Sequence, residues 1–153
     1  MNRKKILIFG NSGSGKTYLA NIISQKHGIK MLSLDDVYWR DKKYTKAKSH
    51  KWSASQVREF SRQNCWVIEG VYSHLLQLVA LRANTIIWLD LAYESCIKNV
   101  KKRDNPCNPY MLLRMKQYYT RTRGSSWLSH HELFCSFNGR KSCLLYTSDA
   151  ADE

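Results

Sequence analysis

The residues best equipped for chemistry stand together at positions 10–17. Gly10-Asn11-Ser12-Gly13-Ser14-Gly15-Lys16-Thr17 matches the spacing G-x-x-x-x-G-K-[ST] in full. Each residue type has a physical task in that pattern. The glycines let the backbone turn so that successive N–H groups converge on phosphate oxygens, and a helix starting where the loop ends adds its positive terminus. Lys16 brings a point charge to the outer phosphates, and the Thr17 hydroxyl offers a ligand to Mg²⁺. Gly10, Ser12, Gly13, Ser14, Gly15, Lys16 and Thr17 are therefore the expected binding residues for a nucleoside triphosphate.

Two acids follow at informative places. Asp35 closes the short apolar run 30–34 (KMLSL), and Glu69 follows the run 65–68 (CWVI). If both runs are parallel strands, the acids lie at carboxyl ends, the edge of an open α/β sheet where ligands sit. Carboxylates there can hold Mg²⁺ through its waters, for which Glu69 is the candidate, or orient an acceptor hydroxyl and take its proton. A helix N-cap or a surface carboxylate is the alternative use of either acid, and it is the reading given to Asp36 and Asp90. Tyr38 and Trp39 form either an aromatic wall for an acceptor or part of the core. His130 and His131 have no partner at metal-ligand spacing.

These groups need elements to position them. The run 5–9 (KILIF) reads as a buried strand, and Leu19, Ile22 and Ile23 set a helix over 17–27 that Gly28 stops. Residues 38–51 turn basic and irregular, as a loop does. Ser53 is the expected cap of a helix over 54–62. The run 65–68 is a third strand, 72–81 a helix, 85–91 (TIIWLDL) a strand and 93–103 a helix ending at the breaker 104–109 (DNPCNP). A basic helix is expected over 110–123, then a fifth strand at 133–137 (LFCSF) and a loop at 138–141. Strands alternating with helices imply a three-layer α/β fold around a parallel sheet of about five strands.

Composition narrows the function. The chain of 153 residues is 43% hydrophobic and 24% charged, enough to bury one domain core. No apolar run reaches the roughly 20 residues of a membrane span, and no secretory leader is evident, so a cytoplasmic protein with no membrane partner is expected. The five cysteines, at 65, 96, 107, 135 and 143, lack C-x-x-C spacing and read as reduced thiols. The net charge of +13 suits either phosphate-bearing partners or a solubilising surface bias. The last eleven residues, 143–153 (CLLYTSDAADE), resemble the translation of a transposase-end sequencing adapter. They carry three acids and no Lys or Arg, so the expected domain is 1–142 and the native C-terminus is expected to be missing.

Among phosphate-loop proteins, a GTPase needs N-K-x-D, which is absent. A transporter-type ATPase carries an apolar run ending in Asp-Glu, whereas Trp88-Leu89-Asp90 lacks the Glu. What remains is the small-kinase group, with ATP and Mg²⁺ as cofactors. There the chain resembles the adenylate-kinase-like proteins called DNA topology modulation proteins, over about residues 5–123 and more weakly to 141. Four landmarks carry the likeness: the phosphate loop; Leu34-Asp35-Asp36-Val37-Tyr38-Trp39, like L-D-x-x-Y-W; Trp66-Val67-Ile68-Glu69-Gly70-Val71-Tyr72-Ser73, like W-I-I-D-G-N-Y-S; and Ala83-Asn84-Thr85-Ile86-Ile87-Trp88-Leu89-Asp90, like A-D-T-I-I-W-L-D. Glu69 and Val71 stand where the family has Asp and Asn, and Asn84 stands for an Asp.

The wider relatives are nucleoside monophosphate, shikimate and gluconate kinases. The resemblance implies a phosphoryl-clamping lid around Lys101, Lys102 and Arg103, with Arg103 as its catalytic arginine beside Lys16, Asp35 and Glu69. It implies further lid or acceptor-phosphate roles for Arg114, Arg121 and Arg123. Gly139, Arg140 and Lys141 resemble the loop after strand five that flanks adenine, which makes Arg140 a nucleotide-binding candidate. A small-molecule acceptor is the implied partner, and the family's last helix is expected to be absent. The competing expectation is a nucleotide-binding regulator that touches DNA phosphates through the basic stretch 110–123, without reading sequence.

Overall fold

The computed structural model describes residues 3–41, 45–104 and 106–145. Five strands form one sheet: β1 (Lys5–Gly10), β2 (Met31–Ser33), β3 (Trp66–Gly70), β4 (Thr85–Leu89) and β5 (Arg140–Leu144). Their order is β2-β3-β1-β4-β5, and every neighbouring pair is parallel. Seven helices are described: α1 (Lys16–His27), α2 (Leu34–Tyr38), α3 (His50–Phe60), α4 (Ser73–Ala80), α5 (Tyr93–Arg103), α6 (Pro109–Gln117) and α7 (Trp127–Ser136).

The alternation along β1 shows why the sheet is covered on both faces. Leu7 and Phe9 point into a core built with Leu34, Val37, Val57, Leu75, Leu76, Val79 and Leu133 from α2, α3, α4 and α7. Ile6 and Ile8 point the other way, to Ala20, Cys96, Val100 and Met115 from α1, α5 and α6. Side chains of period two and helices on each face give the three-layer α/β architecture expected above.

Several boundaries differ from the sequence reading, each for a physical reason. Residues 133–137 are not a strand. They lie largely in α7, whose Ser126 and Ser129 exchange the two bonds of a capping box and whose His130 and Leu133 are buried one turn apart. The fifth strand is β5 instead, with all five residues exposed at the sheet edge. It runs past residue 142: Cys143 and Leu144 pair with Trp88 and Leu89, and the Asp90 amide donates to the Leu144 carbonyl at 3.0 Å. Edge pairing uses backbone groups, so it requires little of the side chains. Residues 146–153 lie outside the described residues.

The helix expected at 54–62 starts earlier, at His50, because Ser49 rather than Ser53 caps it by accepting from the Trp52 amide. Ser53 is buried, and its hydroxyl donates to the Val37 carbonyl at 2.7 Å. The basic helix expected at 110–123 is shorter, since α6 stops at Gln117. The expected loop at 38–51 also overlaps the ends of α2 and α3, and residues 42–44 within it lie outside the described residues.

Candidate functional site

The sheet places β1, β2 and β3 so that their carboxyl ends meet. Phe9 pairs with Gly70, and Ser33 pairs with Glu69. Residues 10–15 emerge from β1 at that edge and lead into α1. Gly15 sits at the N-cap with φ 93°, no side chain caps the helix, and its first turn holds no acid. The N-terminal amides and the positive end of α1 are thus left for an anion.

The loop is held from outside. Gly13 has φ +80°, and a Cβ on it would collide with the Cys96 carbonyl of α5. This is one position where only glycine fits without strain. Asn99 of α5 donates to the Gly13 carbonyl at 2.8 Å, and the Asn11 side chain donates to the Met115 carbonyl of α6 at 2.9 Å. The Asn11 side-chain oxygen also receives the Ser12 amide at 2.9 Å. The Ser14 hydroxyl is buried with no hydrogen-bond partner.

Lys16, Thr17 and Glu69 converge beside the loop. Lys16 is only 9% exposed, and its ammonium donates to the Asn11 carbonyl at 2.7 Å. Burial pushes the Lys16 ammonium below its ordinary range, and the nearby charges of Glu69 and Asp35 work in the opposite direction. Thr17 Oγ1 donates to Glu69 Oε1 at 3.0 Å, and Glu69 is fully buried in β3. A hydroxyl and a carboxylate in contact beside a phosphate loop suit Mg²⁺, which takes few protein oxygens and completes its shell with phosphates and water. No cluster of three or more His, Cys, Asp or Glu side chains that could hold a metal occurs among the described residues. An ion here would thus depend on the phosphates.

Asp35 lies in the first turn of α2, two residues beyond Ser33, where β2 ends one residue earlier than the sequence reading places it. Tyr72 Oη donates to Asp35 Oδ1 at 2.6 Å, and Trp39 Nε1 donates to Tyr72 Oη at 2.6 Å. The Tyr38 ring stacks on Tyr72 with centroids 4.0 Å apart and planes 7° apart. Burial and the Asp35 charge push the Tyr72 phenol far above its usual range. Tyr38 packs against the core as well as on the Tyr72 ring, while Trp39 reaches Asp35 through the Tyr72 hydroxyl.

The basic candidates separate. Arg103 ends α5, is exposed, and pairs with Asp104 at 3.2 Å, yet its charge still acts on Lys16. Arg121 turns one guanidinium nitrogen to the Ser125 carbonyl, while its Nε and Nη1 are buried without partners. Burial, reinforced by Arg114, lowers the Arg121 affinity for its proton. Arg114 and Arg123 are exposed. Arg140 is not in a loop after the last strand. It is the first residue of β5, pairs with Thr85, and so stands at the sheet end opposite the phosphate loop. The structure thus gathers Gly10–Thr17, Asp35 and Glu69, leaves Arg103 at the rim and sets Arg140 apart.

Asp90 accepts the Trp127 indole N–H at both oxygens, at 3.0 and 3.1 Å, and caps no helix: α5 begins after Ala92 with no side-chain cap bond. His130 is buried, with Tyr118 Oη at 2.8 Å on one nitrogen and the Val71 carbonyl at 2.9 Å on the other. Sequence reasoning missed the support roles of Asn11, Asn99 and Tyr72. Asparagine beside glycine is a common turn signal, and the contact of Tyr72 with Asp35 spans 37 residues.

No protein-family model and no curated protein sequence matches the chain. Solved structures do share its fold. A gluconokinase from Sinorhizobium meliloti 1021 aligns with TM-score 0.62 at 14% identity, covering 98% of this chain and 86% of that one. A sugar kinase from Janibacter sp. HTCC2649 aligns with TM-score 0.60 at 13% identity, covering 94% and 86%. The shikimate kinase of Aquifex aeolicus aligns with TM-score 0.55 at 16% identity, covering 90% and 84%. The chain therefore has the three-layer α/β fold seen in small phosphate-loop kinases, with its phosphate loop at the carboxyl edge of β1.

Proposed function

We propose that the protein binds ATP with Mg²⁺ and transfers the γ-phosphoryl group to a small acceptor that carries an acidic group. The observation that carries this reading is the convergence of Lys16, Thr17, Glu69 and Asp35 at one sheet edge. The loop amides and the α1 N-terminus take the phosphates, and Lys16 leaves the Asn11 carbonyl to neutralise the outer ones. Thr17 and Glu69 would hold Mg²⁺, which would supply positive charge to neutralise the phosphates.

Asp35 orients the acceptor hydroxyl and receives its proton as that oxygen bonds to the γ-phosphorus and the bridging oxygen leaves with ADP. Arg121 meets the acceptor's acidic group, and Arg103 reaches in from the lid side. Incubating the purified protein with labelled ATP and a panel of gluconate, shikimate and nucleoside monophosphates tests the proposal. Transfer that disappears in Lys16→Ala supports it, and no Lys16-dependent transfer to any acceptor argues against it.

A second reading, phosphate contact with DNA, draws on exposed basic residues: Lys101, Lys102 and Arg103 in the last turn of α5, with Arg114 and Lys116 on α6. These flank the expected lid, so the kinase reading also accounts for them.

A further inference from the structure

We infer that Tyr72, backed by Trp39, is a positioning residue for Asp35 and selects which carboxylate oxygen meets the acceptor. The inference rests on the kinase reading and deepens it. An indole N–H can only donate, so the Trp39 bond fixes Tyr72 Oη as its acceptor. The single phenolic proton then goes to Asp35 Oδ1. The order of the chain, Trp39 to Tyr72 to Asp35, has one polarity, and it ends on a carboxylate with Oδ2 left to take the acceptor's proton. The bond to the Asp35 carboxylate is of the stronger, charge-assisted kind, and it and the Trp39–Tyr72 bond behind it are each 2.6 Å long.

The Tyr72 ring is itself fixed. Tyr38 stacks on it and meets Trp39 edge-on, with centroids 4.7 Å apart at 69°. Its backbone is anchored on both sides by the segment around α7. His130 holds the Val71 carbonyl, Ser125 Oγ accepts the Ser73 amide at 3.1 Å, and the Ser73 and Ser129 hydroxyls lie 2.6 Å apart. Tyr72 therefore bridges a well-held crossover after β3 to the short α2, which has only five residues of its own to orient Asp35.

The test is a double-mutant cycle on ATP turnover, measured both with the acceptor panel and with water as basal acceptor. Tyr72→Phe keeps the stacked ring and removes only the hydroxyl. It is expected to lower kcat about tenfold, in line with misplacing a proton acceptor, and to leave KM for ATP within about twofold. Trp39→Phe, which keeps the Tyr72–Asp35 bond but frees the phenol, is expected to fall between. In an Asp35→Asn background Tyr72→Phe is expected to change kcat no further.

A kcat within about twofold of wild type, or equal losses with and without Asp35, overturns the inference and leaves the kinase reading standing. Absence of wild-type turnover with every acceptor, water included, removes the kinase reading and this assignment with it.

Discussion

His130 offers a stability test that reads the crossover holding Tyr72. The imidazole is fully buried, contacts Phe9 edge-on at 5.1 Å, and is bonded through both nitrogens. Trp88 donates to Tyr118 Oη, so the Tyr118 proton is directed to His130 Nδ1, and Nε2–H donates to the Val71 carbonyl. That arrangement suits the neutral ring only. Burial pushes its pKa from 6.5 down to about 3.

The sign follows directly. Above the unfolded value of 6.5 neither state binds the proton, and no penalty exists. As pH falls below 6.5 the unfolded chain takes up a proton that the native state refuses, so stability drops until pH approaches the folded value. Between pH 7 and pH 5 this one group removes about 2 kcal/mol, at roughly 1.4 kcal/mol per pH unit once the unfolded ring titrates. Urea unfolding of wild type and His130→Gln at a series of pH values isolates the term. The wild type should lose about 2 kcal/mol more than the variant across that interval. Equal slopes in the two proteins would refute a neutral His130 at the junction of α7 and the β3–α4 crossover.

Three other outcomes follow from the same geometry. Gly13→Ala forces a methyl against the Cys96 carbonyl at positive φ and should cost about 1–3 kcal/mol, visible as a lower urea midpoint together with weaker ATP binding. Arg121→Met removes two buried N–H groups that lack partners along with the one bonded to the Ser125 carbonyl, so the two effects offset and its melting temperature should change little, while KM for the acceptor should rise at least about tenfold. If the basic face contacts DNA, duplex affinity should fall steeply between low and physiological salt, and weak salt-insensitive binding would eliminate that role.

Much of the fold was legible because it is written locally. The phosphate loop lies between a short apolar run and an amphipathic segment, and the helix at 93–103 matches α5 end to end. Elements decided by distant contacts were not. The five apolar-rich residues at 133–137 suit a strand or a buried helix face, and the capping box that settles the matter uses Ser129 where the usual signal is Glu or Gln. β5 has no apolar pattern to find, since all its residues are exposed and its place is set by backbone pairing with β4. Within the site, Lys16 and Thr17 could be read from spacing, and Asp35 and Glu69 from the short apolar runs they follow, although Glu69 lies inside β3 rather than after it. The Tyr72–Asp35 and Asn11–Met115 bonds join residues 37 and 104 positions apart, beyond the reach of any local pattern.

The most direct measurement of the central claim is calorimetric titration of the full chain with a non-hydrolysable ATP analogue and Mg²⁺. One molecule should bind per chain, and Lys16→Ala should abolish the heat while retaining the far-UV dichroism of the wild type. No uptake by the wild type, or the same affinity in Lys16→Ala, would contradict a triphosphate held at the start of α1.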